Sequence, residues 1–354
     1  MRHQLSLALA IGVLAFQAKA ANYIVQPKTA SLEAPSGIKI IKQLPLTKAF
    51  VADLDEAEAK SLAERGYHVE PDSKVSIDPP TSRPDDLAVN KKWAIDLVKS
   101  REANRLRNGR GFGVTVCVVD TGVKRLHPQL RGKVVGGVNT IEEEAAGRGN
   151  YTDVYGHGTV VASIVAGKLW NGYLGVAPRA RIYAVKALGD DGSGTISAVA
   201  EGIRACFGKA SVINLSLGTV TESEILRQAA ADARARGITL LAASGNSGGQ
   251  VQYPARYPTV VAVGAINQAL QISEFSCRGR SLDFVAPGED VPVLNLMGRS
   301  ELMSGTSFAV AYASGVEAIR RSRGKLDLLA RDLSHPRNEQ GQGLIDAELT
   351  AKAL

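Results

Sequence analysis

Cysteine is nearly absent: Cys117, Cys206 and Cys277 are the only three among 354 residues. Three cannot build a disulfide scaffold, and an odd number leaves at least one thiol unpaired. Aromatic residues are scarce as well, at 5%. A core must then come mainly from Ala, Val, Ile and Leu, the mixture that parallel strands bury beneath helices. No block of five or six like charges occurs and the net charge of +7 is mild, which argues against nucleic-acid binding. One apolar run stands out, Leu5 to Phe16. It is too short to span a bilayer, so no stable membrane anchor is expected. No cysteine follows it to carry a lipid.

Arg2 and His3 precede that run, and Ala18-Lys19-Ala20 has the form of a signal-peptidase site. Residues 1–20 therefore read as a signal peptide, and the protein as exported, either secreted or periplasmic. From Ala21 to Ile77 the pattern is a small α+β unit. Tyr23–Val25, Ile38–Ile41 and Tyr67–Glu70 have strand character, and Asp55 can cap a helix from Glu56 to Arg65 that stops at Gly66. Residues 78–92, with Asp78-Pro79-Pro80 and Pro84-Asp85-Asp86, have the composition of a linker. Beyond Trp93, short apolar strands alternate with longer helical stretches up to the end of the chain. The strands are Val114–Val119, Arg181–Ala187, Ser211–Leu217, Ile238–Ala243 and Val260–Ala265. The helices are Gly158–Ala166, Ile196–Phe207, Glu222–Arg236 and Phe308–Arg321. This rhythm predicts an α/β domain over residues 93–354, a parallel sheet with helices on both faces. No repeat of 20–50 residues is present.

Three short words carry chemistry. Asp120-Thr121-Gly122 ends a buried strand, His157-Gly158-Thr159 opens a helix, and Ser304-Gly305-Thr306-Ser307 precedes another. A serine hydroxyl needs an adjacent base to become a nucleophile. Of the five histidines, His3 and His68 fall in the N-terminal segments, His127 precedes a proline and His335 sits in a C-terminal loop, leaving His157 as the best base. Asp120 would orient it. Asp-Thr-Gly also serves aspartic proteases, but those need two such aspartates sharing a proton, and this chain has one. Asn246, in a Gly/Ser turn after an apolar strand, offers a side-chain amide for a developing oxyanion. Gly192-Ser193-Gly194 lacks both a P-loop lysine and the dinucleotide spacing.

The order Asp120, His157, Ser307 separates this triad from those of chymotrypsin and the α/β-hydrolases. From Asn90 nearly to the C-terminus the chain resembles a subtilisin-like serine protease, a subtilase. The resemblance implies an endopeptidase with Asp120, His157 and Ser307 as its triad and Asn246 in the oxyanion hole. It also implies two peptide-binding segments, Gly192-Ser193-Gly194 with Ile196, and Ser216-Leu217-Gly218. Ala243, Ser244 and Gly245 would complete the substrate site, and Ile196 and Leu217 would line an apolar pocket upstream of the cut. Residues 21–77 resemble a subtilase propeptide, an intramolecular inhibitor and folding template. A monomer acting on protein or peptide substrates, without a cofactor for catalysis, is implied.

Several positions depart from the family pattern. Val160 stands where a histidine is usual, Phe308 where methionine is frequent after the nucleophile, and Val310-Ala311-Tyr312 where Ser-Pro-His is usual. Gln129 replaces an aspartate that helps hold structural calcium in many members, putting that site in doubt. Proteinase K-like members carry a disulfide between roughly the elements of Cys117 and Cys206, so these are either such a pair or two buried thiols. An inactive binding or regulatory protein on the same scaffold is the alternative function.

Overall fold

Continuous β-branched and alanine runs make the central strands, because each is covered on both faces. The computed structural model describes residues 21–29, 35–77, 81–84, 90–141 and 149–353. The expected signal peptide and most of the expected linker lie outside these residues. Among the described residues the main sheet has nine strands. In spatial order they are Ala330–Arg331, Leu344–Ile345, Phe284–Pro287, Val261–Ile266, Thr239–Ala243, Val212–Leu215, Thr115–Asp120, Arg181–Lys186 and Val134–Asn139. All neighbours are parallel except the first pair. Helices flank the sheet in two pairs: His157–Ala166 with Thr306–Ser322, and Ile196–Ala205 with Glu224–Ala235. The α/β architecture expected from the alternating pattern is the one observed.

Helix His157–Ala166 is buried at every residue, and Thr306–Ser322 is buried from Thr306 to Ile319. These two carry the candidate base and nucleophile, so their positions are set by packing rather than by solvent-exposed loops. Cys117 and Cys206 form a disulfide with a Cα–Cα distance of 5.9 Å, tying the strand of Asp120 to the end of helix Ile196–Ala205; Cys277 is free and buried.

The N-terminal unit is a four-stranded antiparallel sheet, Ile40–Leu44, Ala49–Leu54, Ala21–Pro27 and Tyr67–Pro71, with helix Glu56–Glu64. Asp55 and Glu58 form a reciprocal capping box at the start of that helix. One small core holds Val25, Phe50, Ala52, Leu54, Leu62 and Tyr67. Ile24, Leu44, Val51, Val75 and Ile77 instead join the main core of the α/β body. Two carboxylates meet helix N-termini of that body, where backbone N–H groups lack partners. Glu70 accepts from Glu224 N at 2.9 Å and Ser223 Oγ at 2.6 Å, and Asp72 accepts from Ser197 N at 2.9 Å and Ser197 Oγ at 2.7 Å.

Several strands were not expected, Ala49–Leu54, Val134–Asn139 and Phe284–Pro287 among them, and two short ones bear on the site. Lys74–Ser76 pairs antiparallel with Ser193–Thr195, and Thr81–Pro84, read as linker, pairs with Ser300–Ser304. Thr81–Pro84 has no apolar pattern, and Lys74–Ser76 offers only the short alternation of Val75 with Ile77; each becomes a strand where another strand offers its edge.

Candidate active site

The sheet collects the site at the C-terminal ends of its parallel strands, where loops converge and ligands gather in open α/β folds. Asp120 ends one strand, Ser216 follows the next and Asn246 follows the third. Asp120 is fully buried, and its two carboxylate oxygens lie 2.8 and 3.0 Å from His157 Nδ1. Oδ1 also accepts from Thr121 N at 2.7 Å. Gly158 permits this approach: a side-chain carbon there would come 2.2 Å from Gly122 O and 3.1 Å from Asp120 Cβ. His157 Nε2 is buried with no hydrogen-bond partner among the described residues. One ring face is bounded by Phe308, centroid to centroid 5.9 Å.

Ser307 is the second residue of its helix, so its N–H has no intrahelical acceptor. Its hydroxyl donates to Ser216 O at 3.2 Å rather than to His157 Nε2. A chain of buried polar groups holds this part of the helix. Ser216 Oγ donates to Ser307 O at 2.9 Å, Asn214 Nδ2 to Ser216 Oγ at 2.9 Å, and Ser314 Oγ to Asn214 Oδ1 at 2.8 Å. Asn246 is fixed by its oxygen, which accepts from Thr306 N and Thr306 Oγ1, both at 2.8 Å. That directs its amide nitrogen to the Gly305 side, where a side-chain carbon on Gly305 would lie 3.4 Å from it. The four candidate residues are thus brought to one place.

The candidate peptide-binding segments are also brought together, and a strand lies between them. Ser193, Gly194 and Thr195 register with Ser76, Val75 and Lys74. Gly192 O accepts from Ile77 N at 3.2 Å, and Gly218 exchanges backbone hydrogen bonds with Ser76 at 3.2 and 3.4 Å. Val75, opposite Gly194, is buried in the same apolar cluster as Ile196 and Leu217. Segment 74–77 is therefore held as an extended strand between the two candidate segments. Ala243 is buried at its strand end, Ser244 N donates to Val263 O at 2.9 Å, and Gly245 N donates to Thr306 Oγ1 at 3.2 Å.

Two residues of this site escaped sequence reasoning. Asp153 is buried and accepts four hydrogen bonds at 2.6–2.9 Å, from Thr121 Oγ1, Gly156 N, Thr159 N and Thr159 Oγ1. It joins the Asp120 turn to the His157 helix. Burial pushes its carboxyl up, against the pull of these hydrogen bonds. Its signal in the sequence is an acidic residue four before the histidine. Gln252 inserts its side chain between the candidate walls: side-chain carbons on Gly218 and Gly245 would lie 2.4 and 2.6 Å from Gln252 Oε1 and Cδ. Nothing local to Gln252 signals that.

The departures Val160, Gln129 and Tyr312 line one cavity of about 240 Å³ beneath the His157 helix. Its walls are mostly apolar, with Lys91, Lys92 and Arg101 and no carboxylate. Calcium requires several oxygen ligands, usually including carboxylates. The Gln129 amide instead packs on Gly167, and among the described residues no group of three or more His, Cys, Asp or Glu side chains is placed to hold a metal ion. The residues around Gln129 do not fit a calcium ion.

A family model for the subtilase family matches residues 111–332. M-protease of Shouchella clausii (strain KSM-K16) is 36% identical over 312 residues, covering 84% of this chain and 77% of the relative. The chain belongs to the subtilase family. Subtilisin Savinase of Lederbergia lenta is 38% identical over 273 residues, 73% of this chain and 98% of the relative. Subtilisin DY of Bacillus licheniformis is 36% identical over 277 residues. This subtilase is a serine endopeptidase, and its substrates are proteins or peptides. No helix among its described residues is long and apolar enough to cross a membrane.

Proposed function

We propose that this subtilase is exported as a precursor and cuts peptide bonds through Ser307, His157 and Asp120, with residues 21–77 as its propeptide. The observation that carries the assignment is His157: one ring nitrogen is held by the buried Asp120 carboxylate and the other is buried and free to take a proton. Asp120 fixes the tautomer with hydrogen on Nδ1 and stabilises the imidazolium once formed. Rotation of the Ser307 side chain away from Ser216 O gives its proton to Nε2 as Oγ attacks the substrate carbonyl. The oxyanion is met by the Ser307 N–H, at a helix N-terminus, and by the Asn246 amide, each such donor contributing about 3 kcal/mol. His157 then protonates the leaving amine, and water resolves the acyl-enzyme by the same steps in reverse. No cofactor enters these steps.

Substrate would bind as an added antiparallel strand between Gly192–Ile196 and Ser216–Gly218, with an apolar side chain at the position of Val75. Occupation of that position by segment 74–77 supports the reading of residues 21–77 as an intramolecular inhibitor, which must leave before a monomeric mature enzyme can act. A fluorophosphonate probe tests the assignment. Wild type should be labelled at Ser307, while Ser307→Ala should be unlabelled and should accumulate as uncut precursor after signal removal. Asn246→Ala should lower kcat by roughly 10²–10³ with little change in KM. An unlabelled wild-type protein that still binds peptides would favour the inactive, regulatory alternative.

A further inference from the structure

A second cleft, of about 920 Å³, lies between Gln250–Val251, the turn Arg278–Asp283 and the segment 337–342. Backbone hydrogen bonds tie its walls together. Arg278 N donates to Gly249 O at 2.8 Å, Gly279 N to Asn338 O at 2.8 Å, and Gln342 N to Asp283 O at 2.6 Å. Gly341, at φ +60°, crosses so near that a side-chain carbon would lie 2.3 Å from the Asp283 carbonyl. The cleft is therefore preformed.

Four arginines line it, Arg256, Arg278, Arg280 and Arg337, against one carboxylate, Asp283. That carboxylate is already engaged, accepting from Ala262 N at 2.8 Å. The ion pairs of the described residues leave all four arginines out. Arg278 Nε is buried with no hydrogen-bond partner. Gathering four like charges costs Coulomb energy, and the chain offsets it only in part: Asp283 faces the group, Asp332 lies near Arg337, and Arg256 sits over the Tyr253 ring at 5.6 Å. A planar guanidinium takes a carboxylate through two parallel hydrogen bonds, so such a group of forks selects a multiply charged anion.

We propose that this cleft binds an acidic stretch of polypeptide and serves as a docking site for protein substrates apart from the bond that is cut. A peptide is favoured over other polyanions by continuity: Gln250 and Val251, which form one wall, run directly into Gln252, whose side chain stands between Gly218 and Gly245. The cleft thus backs onto the segments that hold substrate. The word "substrate" rests on the endopeptidase reading; the charge and shape of the ligand do not.

The test uses the full-length Ser307→Ala chain, in which binding is seen without cleavage, and fluorescein-labelled poly-L-glutamate as probe. Arg280→Glu with Arg337→Glu alters two exposed lining residues. Arg181→Glu with Lys209→Glu makes the same change in net charge outside the cleft. The cleft pair should weaken binding about tenfold or more, and the control pair by no more than about twofold. Binding to the unaltered chain should also fall as salt rises. If the glutamate pair melts early, Arg280→Gln with Arg337→Gln gives the same comparison. Equal losses in the cleft and control pairs would overturn the site. Tighter binding of heparin or duplex DNA with the same arginine dependence would overturn the peptide ligand.

Discussion

Asp153 offers the sharpest test of how the site is held together. Its carboxylate takes four donors, two of them backbone N–H groups at the start of the His157 helix. In Asp153→Ala the two threonine hydroxyls can turn to other acceptors, but the N–H groups of Gly156 and Thr159 cannot. Each buried donor left without a partner costs about 1–3 kcal/mol. Against this stands the desolvation penalty of the native carboxylate, visible as its raised pKa. The net loss should be about 2–4 kcal/mol. Asp153→Asn should cost less but not nothing, because its NH₂ must face one of the two backbone donors. Since Gly156 directly precedes His157, both variants should lower kcat more than KM, for His157 is misplaced while the peptide-binding strands are not touched. Thermal melting with steady-state kinetics on a short peptide reads both effects. An unchanged melting temperature with unchanged kcat in Asp153→Ala would refute the argument.

Gln252→Gly should open the space between Gly218 and Gly245 and raise kcat/KM for large aromatic residues before the cut bond by about 10–100-fold, the worth of burying one such side chain; a peptide library with an unchanged preference would count against it. Replacing both Cys117 and Cys206 by alanine should cost about 2–5 kcal/mol, since the bond closes a loop of 89 residues, and denaturant melts check this. Burial holds the Asp72 carboxyl above its ordinary range although Ser197 hydrogen-bonds to it. The docked state therefore binds a proton more readily than the undocked one, so docking is strongest at acid pH and weakens as pH rises through the raised value. The inhibition constant of a peptide of residues 21–77 against mature enzyme should rise as pH climbs above the ordinary carboxylate value of 3.8, and Asp72→Asn should flatten that rise.

Much of this protein follows from local pattern. The apolar strands before Asp120 and Asn246, the capped helix after Asp55, and the helices opened by His157 and Ser307 are written in nearest-neighbour terms: periodicity, caps and glycine stops. Their boundaries move by only a residue or two in the structure. The order of Asp120, His157 and Ser307 already distinguished one triad arrangement from others, because the fold that places them is itself a consequence of the strand–helix rhythm. What the sequence could not decide are contacts between residues far apart in the chain. Lys74–Ser76 and Thr81–Pro84 become strands only by borrowing edges near residues 193 and 300. Cys117 and Cys206, open between bond and free thiols, are joined because the end of one helix lies against one strand. Asp153 and Gln252 look like loop polar residues until the sheet carries their neighbours to them. A hydrogen bond or a pocket wall needs ångström placement in three dimensions, and only the closed tertiary structure supplies that.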